Sequence, residues 1–339
     1  MKKLFLIKME VKCKMNEKID FVITWVDEND TAWLNEKNKY TINFNNDASH
    51  QRYRDWDFLK YWFRSVEKYA SWVNKIFFVT YGHVPKWLNE NNEKIVIVKH
   101  EDFIPKEYLP TFNSCVIELY LHKIKGLSEK FVYFNDDMFI NNYTTEEDFF
   151  KDGKPLDNMI LTPIHASTEA SACIHYNCMK IINKYFKAQN IEKRKLFSIK
   201  NGKYLYKNIT LGIYPFNVGF RFHHLPTSFL KNTFYEVWKN EEIYLKNVSL
   251  NKFRSDKDVS QWIFQFWQLA SNKYELRKVN TGKYFSLSNE FEMAISEINK
   301  SKCKLICLND GNIDDFENKK NILRETFDKK YSIKSNFEK

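Results

Sequence analysis

The sequence predicts an α/β fold with a mostly parallel sheet. Three observations predict it. Short apolar, β-branched runs recur between Ile19 and Phe134, amphipathic helical stretches separate them, and two of the runs end in acidic residues, at Asp27 and at Asp136-Asp137. Strands alternating with helices imply crossover connections, which place neighbouring strands in parallel. Folds of this class bind ligands at the carboxyl ends of their strands, where these acids lie.

The elements follow in order. Residues 19–26 are continuously apolar apart from Asp20 and Thr24 and read as a buried strand. Residues 55–70 place Leu59, Trp62, Phe63, Val66 and Tyr69 at helical spacing, with Asp55 and Asp57 in the expected first turn. Residues 75–80 form a second strand, stopped by Gly82 and Pro85, and 95–98 a third. Residues 113–124 read as a helix closed by Gly126. Residues 131–134 form a fourth strand that runs into Asn135-Asp136-Asp137. Residues 141–215 are less regular and rich in Lys, Asn and Tyr. Within them 187–210 reads as a mobile or inserted segment, and substrate specificity is expected here. Residues 229–245 and 255–270 are helical; in the second, Val259, Trp262, Ile263, Phe266, Trp267 and Ala270 make one wide apolar face suited to a core. Residues 304–310 repeat the theme of an apolar strand ending in Asn-Asp, and 313–330 form a charged helix followed by a tail. The expected organisation is a basic tail (1–18), a single catalytic domain (19–318) with a variable region (141–215) and a helical portion (215–310) completing the site, and a second basic tail (319–339).

Composition narrows the function. The chain has 339 residues, of which 43% are hydrophobic and 17% aromatic, which excludes disorder as its main state. The formal charge is +10. Residues 1–18 hold a surplus of four positive charges, 319–339 another four, and 19–318 only two. Charge gathered at the ends argues against a nucleic-acid groove and suits tethers to an anionic membrane surface. No run approaches the roughly 18–20 apolar residues that span a bilayer. Residues 4–7 are too short for a signal-peptide core, and Met15 is an alternative start. The expected location is cytoplasmic and peripheral at the inner face of the membrane, with the six cysteines reduced.

Asn135-Asp136-Asp137 is the sharpest chemical signal. Adjacent carboxylates leaving a buried strand suit a hard divalent cation, Mg²⁺ or Mn²⁺, that also meets a substrate phosphate; an Asx turn with a helix cap is the structural alternative. His223-His224-Leu225-Pro226 offers a proton carrier or phosphate ligand, or simply packed histidines. Arg254 suits bidentate phosphate binding, or a surface ion pair with Asp256 and Asp258. Cys173, His175, Cys178, Cys303 and Cys307 are zinc ligands by type, but their spacing fits buried thiols better. The sequence lacks GxxxxGK[ST] and G-x-S-x-G, so neither a P-loop kinase nor an acyl hydrolase is expected.

Four blocks, spanning about 19–310, together resemble the Stealth family of sugar-1-phosphate transferases. They are Ile19-Asp-Phe-Val-Ile-Thr-Trp-Val-Asp27; a long block from Arg52-Tyr-Arg-Asp55 through Arg64-Ser-Val-Glu-Lys-Tyr-Ala70 and Leu109-Pro-Thr-Phe-Asn-Ser114 to Asn135-Asp-Asp-Met-Phe139; His224-Leu-Pro226 through Phe253-Arg254; and Ile306-Cys-Leu-Asn-Asp310. The resemblance implies a fold like that of nucleotide-sugar (GT-A-like) transferases. It implies transfer of a sugar 1-phosphate from a nucleotide-diphosphate sugar, with UDP-N-acetylhexosamine favoured, to a hydroxyl of a growing capsular or exopolysaccharide. A phosphodiester forms and a nucleoside monophosphate leaves. It places catalysis on Asp136, His224, Arg254 and Asp310, donor binding on Asp27, Arg52, Arg54, Asp55, Arg64 and Asn135, and metal binding on Asp137, Asp310 and Asp27. Three positions depart from the family pattern: Glu28 where Gly is usual, Tyr81 where an acid or amide is common, and His223, which makes the histidine assignment ambiguous. The alternatives are a metal-dependent glycosyltransferase releasing a nucleoside diphosphate, and a non-catalytic glycan- or nucleotide-binding module.

Overall fold

The computed structural model describes residues 18–41, 54–165 and 170–339. Its first half runs β1 (Ile19–Thr24), α1 (Thr31–Thr41), α2 (Leu59–Tyr69), β2 (Ile76–Thr80), β3 (Ile95–Lys99), α3 (Ser114–Leu119), β4 (Lys130–Phe134), β5 (Met138–Ile140), β6 (Phe150–Lys151) and β7 (Lys154–Asp157). Then come α4 (Ala170–Tyr185), α5 (Lys193–Leu196), α6 (Leu205–Leu211), β8 (Thr227–Leu230), α7 (Lys231–Ser249) and α8 (Trp262–Ala270). The chain closes with β9 (Glu275–Leu276), β10 (Gly282–Ser286), α9 (Phe291–Lys300), β11 (Leu305–Asn309) and α10 (Phe316–Lys330).

The expected mostly parallel sheet is present. Its order is β3-β2-β1-β4-β8, with the first four strands parallel and β8 antiparallel at the edge. Strands buried on both faces carry continuous apolar runs rather than alternation, which is why they were readable. Val22, Phe77, Val79, Phe131 and Tyr133 face a layer made by α3, α4, α7 and α8. Phe21, Ile23, Ile76, Phe78, Val132 and Phe134 face α2, α9 and α10 on the other side. At the opposite end from the acidic tips, the buried Asp20 carboxylate accepts from Asn74 Nδ2 (2.6 Å), Lys75 N–H (3.1 Å) and Ser128 N–H (2.7 Å), tying together the starts of β1, β2 and β4.

The chain winds outward from β1 through β2 to β3, then returns to place β4 on the far side of β1. A crevice opens where the winding reverses, at the carboxyl ends of β1 and β4. A second sheet, β10-β11-β5, caps this point. Strand β5 starts directly after Asp137 and pairs antiparallel with β11, so Asn309 and Asp310 arrive beside the Asn135–Asp137 turn.

Several expectations need correction. Residues 319–339 are not a solvated tail: α10 buries Leu323 and Phe327, Tyr331 and Phe337 extend the same core, and Lys330 donates to the Ile298 carbonyl (2.7 Å) and Ser301 Oγ (2.7 Å). Residues 187–210 fold into short helical turns, with Asn201 and Asn208 buried. The portion from 215 to 310 is not purely helical, since it supplies β8 to β11. Asp55 and Asp57 precede α2 rather than occupying its first turn. The expected helix over 113–124 ends at Leu119 and continues as a 3₁₀ turn; Asn113 caps it, its Oδ1 accepting from Cys115 N–H. The expected N-terminal tether falls on residues 1–17, outside the described residues.

Candidate active site

A cleft of about 520 Å³ lies over the crevice. Its polar lining comes from separate segments: Arg54-Asp55 ahead of α2, Asn135–Asp137 between β4 and β5, His224 before β8, Arg254 between α7 and α8, and Asn309-Asp310 at the end of β11, with Val26 and Leu287 among the apolar side chains. These parts of the sequence share no local signal, and the two sheets bring them together.

The two adjacent carboxylates are set apart by their surroundings. Asp136 opens into the cleft, and desolvation by its walls, with the charges of Asp137 and Asp55, raises its pKa to about 8. For Asp137, burial also favours the neutral acid, but His224 and a set of hydrogen bonds outweigh it and hold the carboxyl below its usual range. His224 Nε2 lies 3.1 Å from Asp137 Oδ2, which also accepts from Cys307 Sγ (3.2 Å) and Asn309 Nδ2 (3.3 Å). His224 shows the reciprocal effect: burial opposes its charge, yet Asp137 raises its pKa above the ordinary value. Each member of the pair thus favours the charged form of the other, next to a carboxyl whose pKa is raised to about 8. Paired groups with separated pKa values are the arrangement that supports acid and base roles in one site.

His223 is buried and faces the other way, 3.9 Å from Asp157, and burial holds its pKa well below the usual value. The structure thus assigns the cleft to His224.

The arginines are held from behind. Arg254 Nη2 donates to Ser114 Oγ (2.7 Å). The loop carrying Arg254 is fastened by Asn113, whose Nδ2 donates to the Phe253 carbonyl (3.1 Å) and to Asp258 Oδ2 (2.8 Å). Asp258 also accepts from Ser255 N–H (2.9 Å) and Asn251 Nδ2 (2.7 Å). Phe253 stacks on Phe112 with ring centroids 5.5 Å apart. Arg54 makes a two-pronged pair with Asp310, Nε to Oδ2 at 2.7 Å and Nη2 to Oδ1, and lies over the Phe316 ring at 4.2 Å. Beneath the floor, buried Glu118 accepts from Tyr133 Oη (3.2 Å) and Gln261 N–H (3.0 Å).

The family models for Stealth protein CR1, conserved region 1, and Stealth protein CR2, conserved region 2, match residues 17–44 and 52–157. The chain is 45% identical over 333 residues to a capsular polysaccharide phosphotransferase, WcwK, of Streptococcus pneumoniae, covering 96% of this chain and 99% of that protein. It is 40% identical to the receptor polysaccharide phosphotransferase WefC of Streptococcus gordonii, covering 96% of this chain and all of that protein. It is 38% identical to the exopolysaccharide phosphotransferase cps2G of Lactiplantibacillus plantarum, covering 95% and 96%. The chain belongs to the Stealth family.

In this Stealth protein most of the expected site residues meet: Arg54, Asp55, Asn135, Asp136, Asp137, His224, Arg254 and Asp310 line one cleft. Two do not meet there. Arg64 points to the C-terminus, where it pairs with Glu338 (Nε to Oε1 2.8 Å, Nη2 to Oε2 2.7 Å) and donates to the Tyr331 carbonyl. Asp27 shapes the turn into α1, its carboxylate accepting from Asn29 N–H (2.9 Å), while its own N–H donates to His83 Nε2 (2.8 Å). Arg52 lies outside the described residues.

The departures acquire reasons. Glu28 accepts from the Asp55 N–H (3.1 Å), fixing the segment that carries Arg54. Tyr81 packs in an aromatic cluster with Trp33, Phe112 and Phe253 and is no donor-side acid. The reading of Cys173, His175 and Cys178 as ligands gives way to packing, with His175 stacked 4.0 Å from Trp262 and Cys178 in the core. Sequence reasoning missed the roles of Asn113, Ser114, Glu118, Asp258 and Cys307. Each acts through a partner far away in the chain.

Proposed function

We propose that this Stealth protein transfers a sugar 1-phosphate from a nucleotide-diphosphate sugar to a hydroxyl of a growing capsular or exopolysaccharide. One observation carries the reading: a single cleft sets a carboxyl whose pKa is raised to about 8, Asp136, beside Arg254 and the His224–Asp137 pair. The names of the relatives, all polysaccharide phosphotransferases, support the reaction class. The sheet order, with acidic ends at the point where winding reverses, supports reading the fold as the nucleotide-sugar (GT-A-like) transferase type.

In this mechanism Asp136 accepts the proton of the acceptor hydroxyl as its oxygen bonds to the sugar-bearing phosphorus. Arg254 holds the phosphoryl oxygens whose charge rises in the transition state, and Arg54 presents a second guanidinium to the diphosphate. The bond from phosphorus to the nucleoside phosphate breaks, and His224 protonates that leaving oxygen. Asp137 keeps His224 charged and oriented. The oxygen donors also fit a hard divalent cation, Mg²⁺ or Mn²⁺: Asp137 Oδ1 is buried with no hydrogen-bond partner, and Asp136 lies beside it. Asp137 would hold the ion through that Oδ1, and the ion when bound would supply charge stabilisation to the diphosphate, leaving Asp136 free to take the proton. Asp137 with His224 and Cys307 also forms a mixed donor cluster, but burial keeps the Cys307 thiol protonated, which does not suit a thiolate-bound metal. Asp310, held by Arg54, acts on this reading as the orienting partner of that arginine.

We place the reaction in the cytoplasm with a UDP-N-acetylhexosamine donor. The five described cysteines, all free thiols, support that location. The test is incubation with a panel of nucleotide sugars, an acceptor oligosaccharide and Mg²⁺, with and without EDTA. The expected products are a nucleoside monophosphate and a phosphodiester seen by phosphorus-31 NMR. A nucleoside diphosphate with a phosphate-free linkage would mean ordinary glycosyl transfer and defeat the proposal.

A further inference from the structure

Residues 193–216 form a surface excursion made of α5, α6 and the turns around them. They contain six basic residues and no acidic one, although the body from 19 to 318 has a surplus of only two. One of the six, Lys195, is buried and donates to the Tyr274 carbonyl (2.6 Å); the other five lie outside the core. The nearest acid in sequence, Glu192, is already paired with Arg194 (2.6 Å) and Lys195 (3.4 Å). The excursion is therefore a concentrated positive patch on a body that is otherwise net acidic.

The same segment exposes apolar side chains to an unusual degree. Ile199 is 88% exposed, Ile213 80%, Tyr206 60% and Ile209 56%, and Phe216 is also exposed. Tyr206 and Ile209 stand three apart on α6 and share one outward face; the exposed Ile213 lies in the turn that follows, and Lys203 and Lys207 flank them in sequence. That face cannot turn inward. On the inner face of α6 the buried Asn208 side chain donates to the Met159 (2.7 Å) and Leu196 (2.7 Å) carbonyls and accepts from Leu161 N–H (2.8 Å). Three hydrogen bonds thus fix which side of the helix meets solvent.

We propose that this excursion docks the enzyme on an anionic lipid surface, with the isoleucines and aromatic rings entering the headgroup layer and the flanking cations meeting lipid phosphates. Apolar side chains rimmed by lysine on a short helix are the composition that such a surface retains, and charge complementarity selects anionic lipid as the occupant. The contact differs from the two basic ends: one lies in residues 1–17, and the other is packed into the core. The inference rests on the proposed polysaccharide reaction only for its biological sense.

The experiment is sedimentation of the full chain with vesicles of phosphatidylcholine, with and without phosphatidylglycerol, at low and high salt. Binding is expected only to the mixed vesicles and is expected to weaken with salt. The variants K203E/K207E and I199S/I209S/I213S are each expected to lower partitioning by roughly tenfold or more. Both should keep native circular dichroism and lipid-free nucleotide release, a readout that tests the reaction separately. Three results overturn the proposal: no binding by the wild-type chain, undiminished binding by either variant, or loss of binding only when residues 1–14 are deleted. A concentration-dependent dimer that the isoleucine variant abolishes, with vesicle binding intact, would make a second copy the occupant and also overturn it.

Discussion

Replacing Arg64 with alanine separates a structural role from a donor-binding one. Arg64 lies on α2, and its guanidinium makes two bonds to Glu338 and one to the Tyr331 carbonyl. The pair is mostly buried, with side-chain exposures of 13% and 5%. Removing one partner of a buried pair costs about 3–5 kcal/mol; Glu338 keeps its bonds to Ser335, so the low end applies, about 3 kcal/mol. At about 2.1 cal/mol/K per residue the whole chain has an unfolding entropy near 0.7 kcal/mol/K, so the melting temperature should fall by roughly 4 °C. The deficit should depend on pH. Burial opposes ionisation of Glu338, but the Arg64 bonds outweigh it and hold its pKa below the usual glutamate value. A depressed folded-state pKa contributes stability above the unfolded-state value and loses it as pH falls through the folded one. Thermal scans of wild type and R64A should therefore differ at neutral pH and converge below about pH 4. Turnover at saturating donor and the donor KM should not change. An unchanged melting temperature with a raised donor KM would return Arg64 to the active site and refute the structural assignment.

Asp136→Asn should keep the fold and lower kcat by about 100- to 10,000-fold, read as nucleoside monophosphate released; a drop under about tenfold would remove Asp136 as the base. Asp137→Asn should move the acid limb of the kcat/KM profile to lower pH, because a neighbouring negative charge that raises the Asp136 pKa is lost. An unmoved limb would show that another group sets it. Asp258→Ala should loosen the Arg254 loop without touching substrate, lowering kcat/KM and costing about 1–3 kcal/mol of stability. Asp258→Asn, which keeps the acceptor oxygen, should recover part of both, and failure to recover would point to a charge effect on Arg254 instead.

The sheet was legible because its strands are buried on both faces and carry apolar runs that no helix of that length would need. The acidic ends of β4 and β11 were legible for the same reason: a charge directly after a buried strand lies on a boundary the pattern itself marks. The third such end misled. Asp27 follows β1 but spends its carboxylate on the turn into α1. The C-terminal segment misled in the opposite direction. Leu323, Phe327, Tyr331 and Phe337 are sparse among lysines, so composition suggests a tail, yet these four side chains close the core against α2. Arg64 and Glu338 are 274 positions apart, and nothing near either residue announces the other.

The same distance problem governs the chemistry. Asp136 and Asp137 are chemically identical neighbours, and the sequence offers no reason to give them different roles. The difference comes from what the fold delivers to each. Asp137 receives His224, Cys307 and Asn309 from 87, 170 and 172 positions away, and these donors stabilise its charge. Asp136 is desolvated by the cleft walls and faces two carboxylates, Asp137 and Asp55, so its pKa is raised to about 8. Strand β11 is the deciding element, since it carries Cys307 and Asn309 to Asp137 and Asp310 to Arg54. The β5–β11 pairing therefore sets the electrostatics of the cleft as well as its shape. A change that shifts this pairing, even one remote from the cleft, should bring the two carboxyl pKa values together and abolish activity without removing any candidate catalytic residue.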